Sequence, residues 1–139
     1  MTVQLSLVLP RRRQAVGEAR RFTSAMLGAL GAAADHVEAI ALALSEACTN
    51  AVEHADGHDT FTLQIGCDPD AVRLSIMSPG VFAPQRDALE MPDATSLRGR
   101  GMPLMRALMD EFDVRNDGDS TTVSMCRLMS FPPGHVLVA

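Results

Sequence analysis

The chain has 139 residues, 47% of them hydrophobic, and a formal net charge of -5. That length supports one buried core of ordinary size and leaves little room for a second domain, and the acidic balance argues against a general nucleic-acid binder, which needs clustered Lys and Arg. Charges interrupt every apolar stretch well short of the roughly 20 residues of a membrane span, and no signal-peptide pattern follows Met1, so a soluble, cytoplasmic protein with no membrane contact is expected.

The first segment, residues 3–9, alternates V-Q-L-S-L-V-L with period two, the pattern of a half-buried strand, and Pro10 ends it. The basic run Arg11, Arg12 and Arg13 reads as a solvated helix start. From there to residue 30 the apolar positions Val16, Ala19, Phe22, Met26, Leu27 and Leu30 recur at helical spacing, and Gly31 supplies a stop. A second helix is expected to start at Asp35 as N-cap, with Glu38 three positions on, and to run through Ala55 to the break at Asp56 and Gly57.

Residues 60–66 and 71–78 read as two antiparallel strands joined by the connection 67–70. Residues 79–97 contain Pro79, Pro84 and Pro92 without periodicity, an irregular segment long enough to suggest a functional loop, with 84–98 expected to act as a lid. A third helix is expected from Met102 to Glu111, with Leu104, Met105, Leu108 and Met109 as its apolar face. Strands over 112–115 and 120–128 then close a hairpin around 116–119. Adjacent strands rather than strict strand-helix alternation favour an α+β two-layer sandwich over a doubly wound sheet. The domain is expected over residues 1–129, with 130–139 as a tail outside the core. The cysteines Cys48, Cys67 and Cys126 are odd in number and widely spaced, so neither a disulfide framework nor a zinc site is indicated. The nine methionines serve as core filling in a chain with no Trp or Tyr.

The second helix carries the chemistry. At about 100° per residue, Ile40, Ala43, Leu44, Ala47, Ala51 and Ala55 form one apolar stripe, with Glu46 and Asn50 along its edge, one turn apart. A carboxylate and a carboxamide so placed suit a general base beside a ligand of hydrated Mg2+, which takes few protein oxygens and completes its shell with water and phosphate. The same spacing also suits the polar flank of an ordinary amphipathic helix. His54 lies near this edge, where a structural role competes with a phosphate contact. Further on, Gly99, Arg100 and Gly101 at a helix start allow close backbone approach and present N–H groups to phosphate oxygens, with Pro103 in the first turn. No Gly-Lys-Ser/Thr follows, which excludes a Walker A loop, and a tight loop-to-helix corner explains the two glycines equally well.

In order and separation these pieces resemble the nucleotide-binding boxes of the bacterial anti-sigma factor serine kinases, across nearly the whole chain. Glu46 to Ala55 is similar to the N-box, Ser78, Pro79 and Gly80 sit where the first glycine box falls, and Gly99 to Met102 resembles the second. Thr121, Thr122 and Val123 resemble the last strand. The resemblance implies the Bergerat fold of histidine kinase-like ATPases, a two-layer α/β sandwich with a mixed, mainly antiparallel sheet. It further implies ATP and Mg2+ as cofactors, Glu46 as the base that activates an attacking serine hydroxyl, and Asn50 as the metal ligand. His54, Ser78, Gly80, Gly99, Arg100, Gly101 and Met102 fall at nucleotide-contacting positions. The implied partners are a sigma factor, which the protein would sequester, and an anti-anti-sigma protein, which it would phosphorylate; a homodimer is compatible with the resemblance. No helix with a phospho-acceptor histidine stands upstream, which speaks against a histidine kinase catalytic domain. One departure weighs on the ATP reading: where the family carries an Asp that accepts a hydrogen bond from the adenine amino group, this chain has Ser78. Losing a charge-assisted hydrogen bond there costs about 1 to 2 kcal/mol, so the alternative is a non-catalytic binding module on the same fold.

Overall fold

The computed structural model describes residues 1–54, 59–80 and 101–138. In chain order the elements are β1 (Val3–Pro10), α1 (Arg13–Ala29), α2 (Ala34–His54), β2 (Thr60–Asp68), β3 (Ala71–Pro79), α3 (Gly101–Leu108), β4 (Glu111–Asp117) and β5 (Ser120–Leu128). The strands form one sheet in the order β1-β2-β3-β5-β4, with the helices against one face. The α+β two-layer architecture is the one expected from the sequence.

The alternation in each strand sets which face is buried. Rows of cross-strand partners run through the sheet: Leu5, Ile65, Leu74, Met125 and Phe112 form one, and Leu7, Leu63, Ile76, Val123 and Val114 the next. All ten belong to or pack on the hydrophobic core, while Gln4, Gln64, Ser75 and Ser124 face the other way. Every pairing among the described residues is antiparallel, whereas a mixed sheet was expected. The connections explain this. β1 returns to β2 through two helices, so the chain reverses three times, an odd number, and the two strands run antiparallel. β3 and β4 run in the same direction, but β5 lies between them and bonds to both.

Helix α1 buries Ala15, Ala19, Thr23 and Leu27, an i, i+4 stripe whose small residues let it approach α2 closely. It ends in a Schellman motif: Ala32 N–H donates to Leu27 O and Gly31 N–H to Gly28 O, both at 3.0 Å, with Gly31 at φ 88°. Helix α2 begins one residue earlier than expected, and Val37 N–H donates to Ala33 O at 3.1 Å. Asp35 is therefore not the N-cap but a first-turn residue, where its charge complements the helix dipole. Helix α3 stops at Leu108 rather than Glu111, because the sheet captures the next residues: Asp110 N–H donates to Cys126 O at 2.8 Å, and Glu111 is already paired in β4.

Both hairpin turns are tighter than expected. Asp68 pairs with Ala71 across Pro69 and Asp70, and Asp68 Oδ1 accepts the Asp70 N–H at 2.8 Å; Asp117 pairs with Ser120 across Gly118, at φ 63°, and Asp119. The tail departs most. Phe131 and Leu137 are buried in the core, with exposures of 4% and 2%. The chain after β5 continues along the β2–β3 turn, Met129 N–H donating to Asp70 O and Phe131 N–H to Pro69 O. It then crosses the α1–α2 corner, where a Cβ on Gly31 would meet His135 and Pro132 within 3 Å. The proline and glycine content of this segment concealed two apolar side chains with somewhere to go.

Candidate functional site

Helix α2 presents its buried stripe, Ile40, Ala43, Leu44, Ala47, Cys48 and Ala51, to the sheet and the other helices. Glu46 and Asn50 are half-buried on its flank, as one helical turn requires, while Glu53 is exposed. The end of α2 is fixed by Arg11, whose Nε donates to Val52 O at 2.7 Å. The cation thus satisfies a terminal carbonyl and opposes the negative end of the helix dipole. One residue of the basic run therefore has a structural duty. His54 is the last residue of α2.

Strand β3 ends at Ser78 and Pro79, followed by Gly80 at φ 98°, a conformation that favours glycine. Gly80 N–H donates to Asp119 O at 2.5 Å. Thr121, 2% exposed, is the cross-strand partner of both Ser78 and Asn116. Its Oγ1 lies 2.9 Å from Gly80 O and 2.9 Å from Asn116 Oδ1. The first glycine turn is thus tied to the opposite hairpin from both its N–H and its C=O. Sequence reasoning misses both residues as part of the site: it uses Thr121 only as a strand marker and does not single out Asn116. Their signal is present in the register, since a polar Thr falls on the inward face of β5 where Val123 and Met125 precede the core.

Helix α3 begins at Gly101 and packs against α2. Met102 has its side chain in the core at 3% exposure, so of this residue only the backbone N–H remains for a ligand. Pro103 and Met105 are buried beside it. Gly99, Arg100 and the expected lid over 84–98 lie outside the described residues, as does the side chain of His54. Ser78 and Gly80 stand at the end of the sheet where β3 finishes and β5 begins, and α2, which carries Glu46 and Asn50, packs against β3 and α3.

Two other features are chemically quiet. Burial pushes the Cys48 thiol up to about 12, and burial together with the Asp68 charge pushes Cys67 up to about 11, so both stay neutral thiols and poor nucleophiles. A groove of about 570 Å3 crosses the opposite, solvent face of the sheet, past Gln4, Gln64, Arg73 and Ser124, and includes neither Glu46 nor Asn50. Among the described residues no group of three or more His, Cys, Asp or Glu forms a metal cluster, and no helix is long and apolar enough to cross a membrane. A nucleotide-held Mg2+ needs no such cluster, and a carboxylate and a carboxamide half-buried one helical turn apart, at Glu46 and Asn50, fit one.

Residues 9–127 match the family model of the histidine kinase-like ATPase domain. The chain belongs to that family, in its anti-sigma factor serine kinase branch. It is 31% identical over 139 residues to the serine-protein kinase RsbW of Bacillus licheniformis, covering 87% of this chain and 83% of that one. It is 29% identical over 138 residues to the serine-protein kinase RsbW of Bacillus subtilis, covering 91% and 86%. Among solved structures, the RsbU and RsbW domains of a Mycobacterium tuberculosis protein match with a TM-score of 0.72 at 23% identity, over 94% of this chain and 33% of that one. The histidine kinase domain of a blue-light activated kinase from Erythrobacter litoralis matches with a TM-score of 0.53 at 18% identity, over 85% and 60%. These two likenesses concern the fold of a histidine kinase-like ATPase.

Proposed function

We propose that this chain is a cytoplasmic anti-sigma factor that binds an RNA polymerase sigma factor and, with Mg-ATP, phosphorylates a serine of an anti-anti-sigma protein. The observation that supports the reading is the spacing of Glu46 and Asn50, half-buried one turn apart on α2, a helix that packs against β3 and α3, in a chain of this family. Asn50 would hold Mg2+ through its side-chain oxygen, and the metal would supply charge neutralisation on the transferred phosphoryl group. Glu46 accepts the proton of the attacking serine hydroxyl. The backbone N–H groups of 99–102, with His54, would contact the phosphates, and Ser78 and Gly80 would border the base. Catalysis in this scheme comes chiefly from positioning and fixed electrostatics. The same family reading allows a homodimer.

The discriminating experiment is titration with Mg-ATP followed by phosphotransfer to an anti-anti-sigma partner. Glu46→Ala should bind ATP much as the parent does, because other groups hold metal and phosphates, while phosphotransfer falls by about 10²- to 10⁴-fold. Transfer at the parent rate would remove Glu46 from the role of base. Ser78 in place of the carboxylate favours a second reading, a non-catalytic module that holds a sigma factor without nucleotide. Sigma binding by a chain that takes up no Mg-ATP would establish it.

A further inference from the structure

Among the described residues, Thr121 Oγ1 faces two acceptor oxygens, and it carries one proton. Its Oγ1 is 2.9 Å from Gly80 O, which can only accept, and 2.9 Å from Asn116 Oδ1. A hydroxyl donates once. Two acceptor oxygens facing each other at such a distance repel, and with Thr121 at 2% exposure bulk water does not mediate. A half-turn of the Asn116 amide exchanges its oxygen and nitrogen with no change of shape, and it resolves the conflict. Asn116 Nδ2–H then donates to Thr121 Oγ1, and Thr121 Oγ1–H donates to Gly80 O. The hydrogen bonds run in one direction, and Gly80, whose own N–H is held by Asp119 O, fixes the end of the chain.

The consequence falls on Asn116. With its nitrogen turned to Thr121, its Oδ1 is left as an acceptor on the exposed side of the side chain. Ser78, Thr121 and Asn116 form one cross-strand row on the face of the sheet that carries the helices. Neighbouring strands are about 4.8 Å apart, so Ser78 and Asn116 stand one strand to either side of Thr121, about 10 Å from each other, and a base lying over Thr121 is within side-chain reach of Asn116. We propose that Asn116 is the base-recognition residue of this chain, its Oδ1 accepting a hydrogen bond from the exocyclic amine of adenine in place of the carboxylate absent at Ser78. This rests on the reading of the site as a nucleotide pocket. Thr121 is a positioning residue, since it acts by directing the amide.

The test compares Mg-ATP with Mg-ITP, whose base carries a carbonyl where adenine carries the amine, by calorimetric titration of the parent and Asn116→Leu. The parent should bind ATP about tenfold more tightly than ITP, the worth of one hydrogen bond, and the variant should bind ATP as weakly as the parent binds ITP. Because the readout is a ratio within one protein, a general loss of affinity does not imitate it. Asn116→Ser, with a side chain too short to reach the amine, should equalise the two nucleotides in the same way if the leucine variant does not fold. An ATP:ITP ratio equal to the parent's in either folded variant, or a parent that binds the two alike, overturns the assignment. Mg-tripolyphosphate separates the two levels of the argument: a parent that binds neither it nor the nucleotides refutes the nucleotide pocket itself.

Discussion

The two ends of the sheet are finished in different ways. At the end away from the candidate site, side chains and tail lock the elements together. Arg127 donates from Nε to His36 Nδ1 at 2.9 Å and from its terminal nitrogen to Leu108 O, joining β5 to the start of α2 and the end of α3. Asp110 Oδ2 accepts the Leu128 N–H at 2.7 Å, and Phe131 and Leu137 close the core beneath. At the other end, where α2 and β3 finish, Glu46, Asn50, Ser78 and Gly80 are only half-buried, and the ties among the described residues are the Arg11 bond to Val52 O and the backbone and hydroxyl bonds around Gly80. Among the described residues the long side-chain ties and the buried tail gather at one end, and the half-buried polar groups of the candidate site at the other.

The sharpest way to break that contrast is at the tail. Phe131→Ala removes a buried aromatic ring from the locked end and should destabilise the protein by about 3 kcal/mol in chemical unfolding. Affinity for Mg-ATP, measured on the protein that remains folded, should change little. An unaltered unfolding midpoint would mean that residues 130–138 are an appendage after all.

That tail also marks where the sequence stopped being informative. The strand faces were legible because period-two alternation survives in all five strands, and α1 and α2 because their apolar stripes are long and Gly31 can adopt a positive φ. The end of α3 was not, since Met109 continues the helical pattern while Asp110 is taken by a longer-range bond to Cys126. Phe131 and Leu137 sit among prolines and glycine in a segment with no period, so no local pattern announces that they join the core. At the site, Glu46 and Asn50 could be paired by helix geometry alone. Thr121 and Asn116 could not, because their partnership depends on the register between β5, β3 and β4.

The site end should respond in binding rather than in folding. Ser78→Asp places a carboxylate where adenine recognition is expected and should strengthen ATP binding by about 1 to 2 kcal/mol, or roughly 5- to 30-fold. GTP carries a carbonyl at the corresponding position, so its affinity should stay level or fall. Calorimetric titration of parent and variant with both nucleotides reads this as a difference of differences, which cancels general effects of the substitution. Equal changes for ATP and GTP would place Ser78 away from the base.

The smallest effect is expected back at the locked end, where a surface charge holds the β2–β3 turn. The Asp70 backbone N–H and then the Arg73 side chain, whose Nη1 is 2.6 Å from Asp68 Oδ2, hold the Asp68 carboxyl below its usual range. A depressed folded-state value means that the ionised group contributes stability above the ordinary aspartate range and loses it as pH falls through the folded value. Asp68→Asn keeps an oxygen for the Asp70 N–H and discards the charge. Its unfolding midpoint should therefore be slightly lower than the parent's at neutral pH, with the gap narrowing as salt is added and closing in acid, because an exposed pair is well screened. A gap that persists in acid would mean that the amide fails to reproduce the turn geometry, and that the carboxylate's shape rather than its charge holds this end of the hairpin.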